Sequence, residues 1–115
     1  CTNQTLNAIG SAIHLCWLGP EGIYTMGYQA MQKARYMKDL FIKNKVDVIN
    51  NDLSIREFLI KTNKEPDILI DLMADRGFLA GIKYDANHLL IAVTEKRTKQ
   101  EIDQYIINYI EVANV

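Results

Sequence analysis

The stretch Val93 to Asp103, VTEKRTKQEID, gathers carboxylates and cations between two apolar runs, HLLIAVT before it and YIINYIEVA after it. Such side chains at a corner between a strand and a helix suit two purposes: acid–base and binding chemistry, or the start of a capped helix. Thr98 stands three residues before Glu101, the spacing of a capping box. In that motif the threonine hydroxyl accepts from the Glu101 N–H, and the glutamate reaches back to the Thr98 N–H. Asp103 adds a negative charge near the positive end of the helix dipole. Capping leaves Glu95 and Arg97 unexplained. They either face an active-site entrance or are solvated turn charges, which loops tolerate well.

The remaining chemistry-bearing residues carry weaker signals. His14 lies among apolar neighbours, and a lone histidine with no partner in view reads as structural. His88 follows Asp85 and Asn87, where turn chemistry is the simpler explanation. Cys1 and Cys16 have neither a metal-ligand spacing nor an activating group nearby. No metal site is expected. No nucleophile elbow, P-loop or dinucleotide fingerprint occurs, and the glycines of GSAIHLCWLG are wrongly spaced for one. The six tyrosines fall mostly at helical spacing and read as core or interface.

A chain of 115 residues makes at most one ordinary domain, here taken as residues 1–115. A chain that is 49% apolar can bury a real core, and a net charge of −1 argues against a dedicated nucleic-acid partner. No apolar run approaches the roughly 18 residues that span a bilayer, so no membrane partner is expected. The cysteines read as free thiols of a reducing compartment, which predicts a cytoplasmic protein. The chain opens Cys-Thr-Asn, without Met, and enters a helix at once. A fragment of a longer protein would begin this way, with an exposed inter-domain face that is apolar and prone to dimerise.

Leu6, Ile9, Ile13, Cys16 and Trp17 share a helical face and predict a first helix from Thr2, as N-cap, to Leu18. Gly19-Pro20 breaks it, and Pro20 opens a second helix with the stripe Ile23, Met26, Ala30, Ala34, Met37 and Phe41. Lys33, Arg35, Lys38, Lys43 and Lys45 crowd its end and read as a solvated face. The period then changes to two. Val46–Ile49 and Arg56–Thr62 predict an antiparallel hairpin. A short helix follows from Pro66, with Ile68, Leu69, Leu72 and Met73 inward, Arg76 in its last turn and Gly77 beyond its end. Phe78–Tyr84 and His88–Thr94 read as strands, with Gly81 marking a close backbone approach. A last helix runs from about Lys99 to Ala113. The order α-α-β-β-α-β-β-α is α+β, with helices packed on a small, mainly antiparallel sheet.

Five blocks stand in one order: CTNQ at the start, LGPEGI (Leu18 to Ile23), QKARY (Gln32 to Tyr36), DRGFLAGI (Asp75 to Ile82) and VTEKRTKQEID. Together they closely resemble the C-terminal region of glycine dehydrogenase (decarboxylating) subunit 1, the α half of the two-subunit P-protein of the glycine cleavage system. The resemblance covers essentially the whole chain. It departs from the family pattern at Ala80-Gly81, where many members have a Gly pair, and at Arg56, where many have Asn.

The resemblance implies the small C-terminal domain of a fold-type-I pyridoxal-phosphate enzyme, with a large cofactor-binding domain before it. The complete enzyme would decarboxylate glycine and pass the aminomethyl group to the lipoyl arm of H-protein, with pyridoxal phosphate as the electron sink. The Schiff-base lysine would lie in the other subunit, so no lysine here is assigned a catalytic role. The fragment alone would be inactive. Its partners would be glycine dehydrogenase subunit 2 and lipoylated H-protein. Thr2, Asn3 and Gln4 would stand at the inter-domain boundary, and Glu95, Arg97 and Thr98 at the strand–helix junction, as candidates for the substrate entrance or the subunit interface. In many relatives with this fold an arginine of the small domain holds the substrate carboxylate, and Arg97 is the candidate here, since a guanidinium matches a carboxylate in bidentate fashion. Two other readings stand beside this one: a separate ferredoxin-like regulatory or small-ligand-binding module, and a structural interaction domain using the Tyr- and Met-bearing helices.

Overall fold

The computed structural model describes residues 3–49 and 54–114. Three helices and a three-stranded antiparallel sheet make up an α+β unit: α1 Thr5–Lys43, β1 Glu57–Lys61, α2 Pro66–Ala74, β2 Ile82–Lys83, β3 His88–Ala92 and α3 Lys99–Asn114. The strand order is β1-β3-β2, so the most apolar strand is central.

The expected break in the first helical region is present as a kink. The helix runs on past Gly19, but that residue leaves helical geometry at φ 63° and ψ −179°. Gly tolerates the positive φ, and the extended ψ is what a following proline demands. Pro20 then starts the second limb with φ preset. The two limbs have different fates. Beyond the kink Ala30, Ala34, Met37 and Phe41 are buried, as their stripe predicted, while Ile23 stays 41% exposed. Before it, the apolar face read from Leu6, Ile9, Ile13, Cys16 and Trp17 packs on nothing within the described residues and lies open to solvent. His14 is exposed with them, rather than enclosed by apolar neighbours. The expected N-cap, Thr2, lies outside the described residues. Gln4 is the N-cap residue and makes no side-chain cap bond, while Asn3 Oδ1 accepts from the Thr5 N–H at 2.9 Å.

Two strands are shorter than their patterns suggested. Val46–Ile49 contributes a single antiparallel bridge, Val48 to Ile60, with the Ile49 N–H donating to the Leu59 carbonyl at 2.9 Å. Lys45, at φ 63°, turns the chain out of α1 immediately before this segment. Residues 50–53, which would carry the turn of the expected hairpin, lie outside the described residues. The segment Phe78–Tyr84 is regular only at Ile82–Lys83. Gly81 is the reason. Its φ is +143°, and a Cβ built there would lie 2.4 Å from the Leu90 carbonyl oxygen. The glycine lets the two backbones meet but ends the ladder, so Phe78 to Ala80 cross the sheet edge as an irregular loop.

One face of the sheet is buried. Phe58 pairs with Ile91 and Ile60 with Leu89 across β1 and β3, and all four are almost fully enclosed. Phe41 of α1 meets Phe58, Tyr105 and Tyr109 edge-on, with ring centroids 6.1, 6.3 and 5.1 Å away, geometries that the ring quadrupoles favour. In α2, Leu69 and Met73 are buried, whereas Ile68 is half exposed. A Schellman pattern closes α2: the Phe78 N–H donates to the Met73 carbonyl and the Gly77 N–H to that of Ala74, with Gly77 at φ +83°. Arg76, just past the helix, pairs with Glu111 at 2.8 Å and ties α2 to α3.

Candidate functional site

The turn from β3 to α3 is the best-organised polar region of the described chain. The capping box forms. The Glu101 N–H donates to Thr98 Oγ1 at 3.2 Å, and the Thr98 N–H donates to Glu101 Oε2 at 2.7 Å. The Thr98 backbone N–H first, and the Thr98 hydroxyl donating to Glu101 Oε2 at 3.1 Å second, favour the ionised form and hold the Glu101 carboxyl below its ordinary range. Arg97 reaches Glu101 at 3.6 Å and keeps about half of its side chain in solvent.

The turn is also clamped from α1. The Lys33 ammonium donates to the backbone carbonyl of Glu95. One helical turn on, the Tyr36 hydroxyl donates to Asp103 Oδ1 at 2.5 Å. Lys99 lies 2.6 Å from the other oxygen of Asp103 and 5.1 Å from the Tyr36 ring centroid. Lys99 first, then Tyr36, hold the Asp103 carboxyl below its ordinary range. Asp103 therefore does more than favour the helix dipole, because it joins α1 to α3. Nor is the lysine-rich end of α1 a uniformly solvated face: Lys33 spans to the turn, and Lys38 is 5% exposed.

Beside this turn lies an open apolar cavity of about 770 Å³. Met37, Phe78, Leu79, Ile82 and Leu90 line it, and Arg97 and Glu101 stand among its walls. The loop that forms one wall is fixed by the buried Tyr105 hydroxyl, which donates to the Ala80 carbonyl. Burial raises the pKa of the Tyr105 phenol far above its ordinary value, so it stays a donor. A guanidinium at the mouth of an apolar cavity can orient a small carboxylate, provided it turns from Glu101.

The structure gathers only part of the predicted set. Glu95, Arg97 and Thr98 share the β3–α3 turn, and of these Arg97 lines the cavity. Glu95 is engaged through its backbone carbonyl. Asn3 and Gln4 lie at the far end of α1, roughly eight helical turns from Lys33, where their bonds are local: Asn3 to Thr5, and Gln4 Oε1 accepting from Asn7 at 2.6 Å. Thr2 lies outside the described residues. Lys33, Tyr36 and Tyr105 were not expected at the site. The spacing of Lys33 and Tyr36 on one helical face, and that of Lys99 and Asp103, were the available signals. His88 opens β3, and its side chain serves the preceding turn, with Nδ1 2.8 Å from Asp85 Oδ1. Among the described residues no group of three or more His, Cys, Asp or Glu side chains is placed to hold a metal ion. None of the helices is long and apolar enough to cross a membrane.

Known proteins resemble the chain over nearly its whole length. It is 39% identical over 114 residues to a protein of Macrococcus caseolyticus named "Probable glycine dehydrogenase (decarboxylating) subunit 1", covering 92% of this chain and 25% of that protein. A Staphylococcus aureus protein of the same name is 40% identical over 112 residues, with the same coverage. The chain thus spans about a quarter of the length of these relatives. The crystal structure of an inhibitor-bound glycine decarboxylase (P-protein) of the glycine cleavage system superposes with a TM-score of 0.89 at 26% identity, over 97% of this chain and 27% of that one. The profile of the glycine cleavage system P-protein matches residues 1–109. By that match, the chain belongs to the glycine cleavage system P-protein family.

Proposed function

We propose that this chain is the small C-terminal domain of the α subunit of a two-subunit glycine dehydrogenase (decarboxylating). The complete enzyme would decarboxylate glycine with pyridoxal phosphate and deliver the aminomethyl group to the lipoyl arm of H-protein, in the cytoplasm. The observation that carries this reading is the agreement of family profile and fold over nearly the whole chain, with relatives named as subunit 1. That name also supports a subunit 2 as partner.

Within the enzyme the domain would act by position. The Lys33, Tyr36 and Lys99 contacts fix the β3–α3 turn, which holds Arg97 at the cavity mouth, and Glu95, Arg97 and Thr98 would face the substrate entrance or a subunit interface. Asn3 and Gln4, with Thr2, would border the rest of the enzyme. Bound pyridoxal phosphate would supply the electron sink for decarboxylation. It requires an imine-forming lysine, and no lysine lines the cavity beside Arg97. That lysine is expected in the other subunit, so no chemical step through the cofactor is assigned to the residues of this chain.

The test is exchange of labelled bicarbonate into the glycine carboxyl by the full-length parent chain mixed with its subunit 2, H-protein, pyridoxal phosphate and glycine. Exchange that requires the parent chain is expected. No exchange with active partners would overturn the reading.

A further inference from the structure

Among the described residues, Arg97–Glu101 at 3.6 Å is the longest of the ion pairs. Lys99–Asp103, with the same spacing along the chain, closes to 2.6 Å. The two cations ask different things of a carboxylate. An ammonium is a point charge and needs one oxygen. A guanidinium pairs best as a fork, with parallel bonds to both oxygens.

Glu101 has no second oxygen to give. Its Oε2 already accepts from the Thr98 N–H at 2.7 Å and from the Thr98 hydroxyl at 3.1 Å. The Glu101 N–H donates to that same hydroxyl at 3.2 Å. The carboxylate therefore cannot turn without opening the start of α3. Only Oε1 is left for Arg97, at a separation beyond that of a hydrogen bond. Arg97 is thus held near a carboxylate that it cannot chelate. About half of its side chain stays in solvent, and it stands at the wall of the apolar cavity.

We propose that Thr98 and Glu101 are positioning residues for Arg97: the capping box withholds one Glu101 oxygen, which keeps the guanidinium at the cavity mouth and open to the carboxylate of a small ligand. Two effects of opposite sign follow. The free Oε1 competes with the ligand, so removing its charge tightens binding. The cap limits that competition, so loosening the cap weakens binding. The proposal rests on the enzymatic reading only where it names glycine as the ligand.

The test titrates the 115-residue chain with butyrate at constant ionic strength and follows the Arg97 side-chain Nε–H in nitrogen–proton spectra. Glu101→Gln keeps an acceptor for the cap. It should lower the half-saturating butyrate concentration about two- to fivefold, the scale of an exposed ion pair. Thr98→Ala should raise that concentration, and Thr98→Ser, which keeps the hydroxyl, should leave it unchanged. In the double variant Thr98→Ala with Glu101→Gln the rise should vanish. Butanol, which enters the same cavity without the charge, should bind all these chains equally. In the complex of the full-length parent chain with subunit 2 and H-protein, KM for glycine should follow the same order with kcat little changed. A merely structural role cannot tighten binding. Glu101→Gln that weakens or leaves butyrate binding unchanged would overturn the proposal. So would an Arg97 signal indifferent to butyrate, or variants that shift butanol as much as butyrate. The butyrate order without bicarbonate exchange in the complex would reject the enzymatic reading and support this proposal. Exchange without that order in either measurement would do the reverse.

Discussion

Arg97 is one of few cavity-lining residues with a fixed charge, and its pairing with Glu101 at 3.6 Å is loose enough to exchange for a ligand carboxylate. If it holds the glycine carboxylate in the complete enzyme, Arg97→Ala should raise KM for glycine about 10–100-fold, the worth of a charged hydrogen bond. An unchanged KM in the reconstituted complex would reject that role. The neighbouring carboxyls make a separate prediction. The folded pKa values of Glu101 and Asp103 lie below their ordinary values of 4.5 and 3.8. The unfolded chain therefore binds protons more readily, and the stability these groups contribute is present above those ordinary values. It is lost as pH falls through the lowered folded values. The urea midpoint of the wild-type chain should therefore drop on acidification below about pH 4. Glu101→Gln should flatten that drop, and parallel curves would dismiss the contribution.

At the level of elements, the glycine at the end of the DRGFLAGI block sets the shape of the sheet edge. Gly81→Ala would place a methyl against the Leu90 carbonyl at a φ that L-residues rarely adopt. A cost of about 2–3 kcal/mol is expected, as for other strongly strained backbone positions, measured as a lower denaturation midpoint. Gly10→Ala, in a helix with open space around it, should instead be neutral or slightly stabilising. Sequence reasoning found this close approach because a glycine interrupting an apolar run has few other uses. It overestimated the strand around that glycine and the one at Val46–Ile49, since β propensity cannot report that a partner backbone is missing. The capping box was legible for the opposite reason: its bonds are local, and spacing alone defines them. The clamp from Lys33 and Tyr36 was not, because it joins residues more than sixty positions apart.

For the molecule as a whole, the same limit applies to α1. Periodicity shows that a helix has an apolar face, and both limbs have one, but it does not reveal what lies opposite. The inner limb meets the aromatic cluster around Phe41, while the outer limb meets solvent. The cluster predicts behaviour at high pH. Burial pushes the Tyr109 phenol up to about 12 and that of Tyr105 still higher, from an ordinary value of 10.0. A raised phenol pKa contributes stability that is complete below the unfolded value and lost as pH climbs through the folded one. The protein should therefore unfold cooperatively above pH 10, with a burst of tyrosinate absorbance at the transition. Smooth titration of all tyrosines with the fold intact would contradict the burial.

The aromatic residues are divided in a way that affects how unfolding must be followed. The single indole sits on the outer limb, remote from the core, while the tightly packed phenols sit inside it. Indole fluorescence during melting reports the fraying of one helical limb, and near-ultraviolet ellipticity from the phenols reports the loss of the body. The two signals should give different midpoints. That mismatch would imitate a folding intermediate even if the body itself unfolds in a single cooperative step.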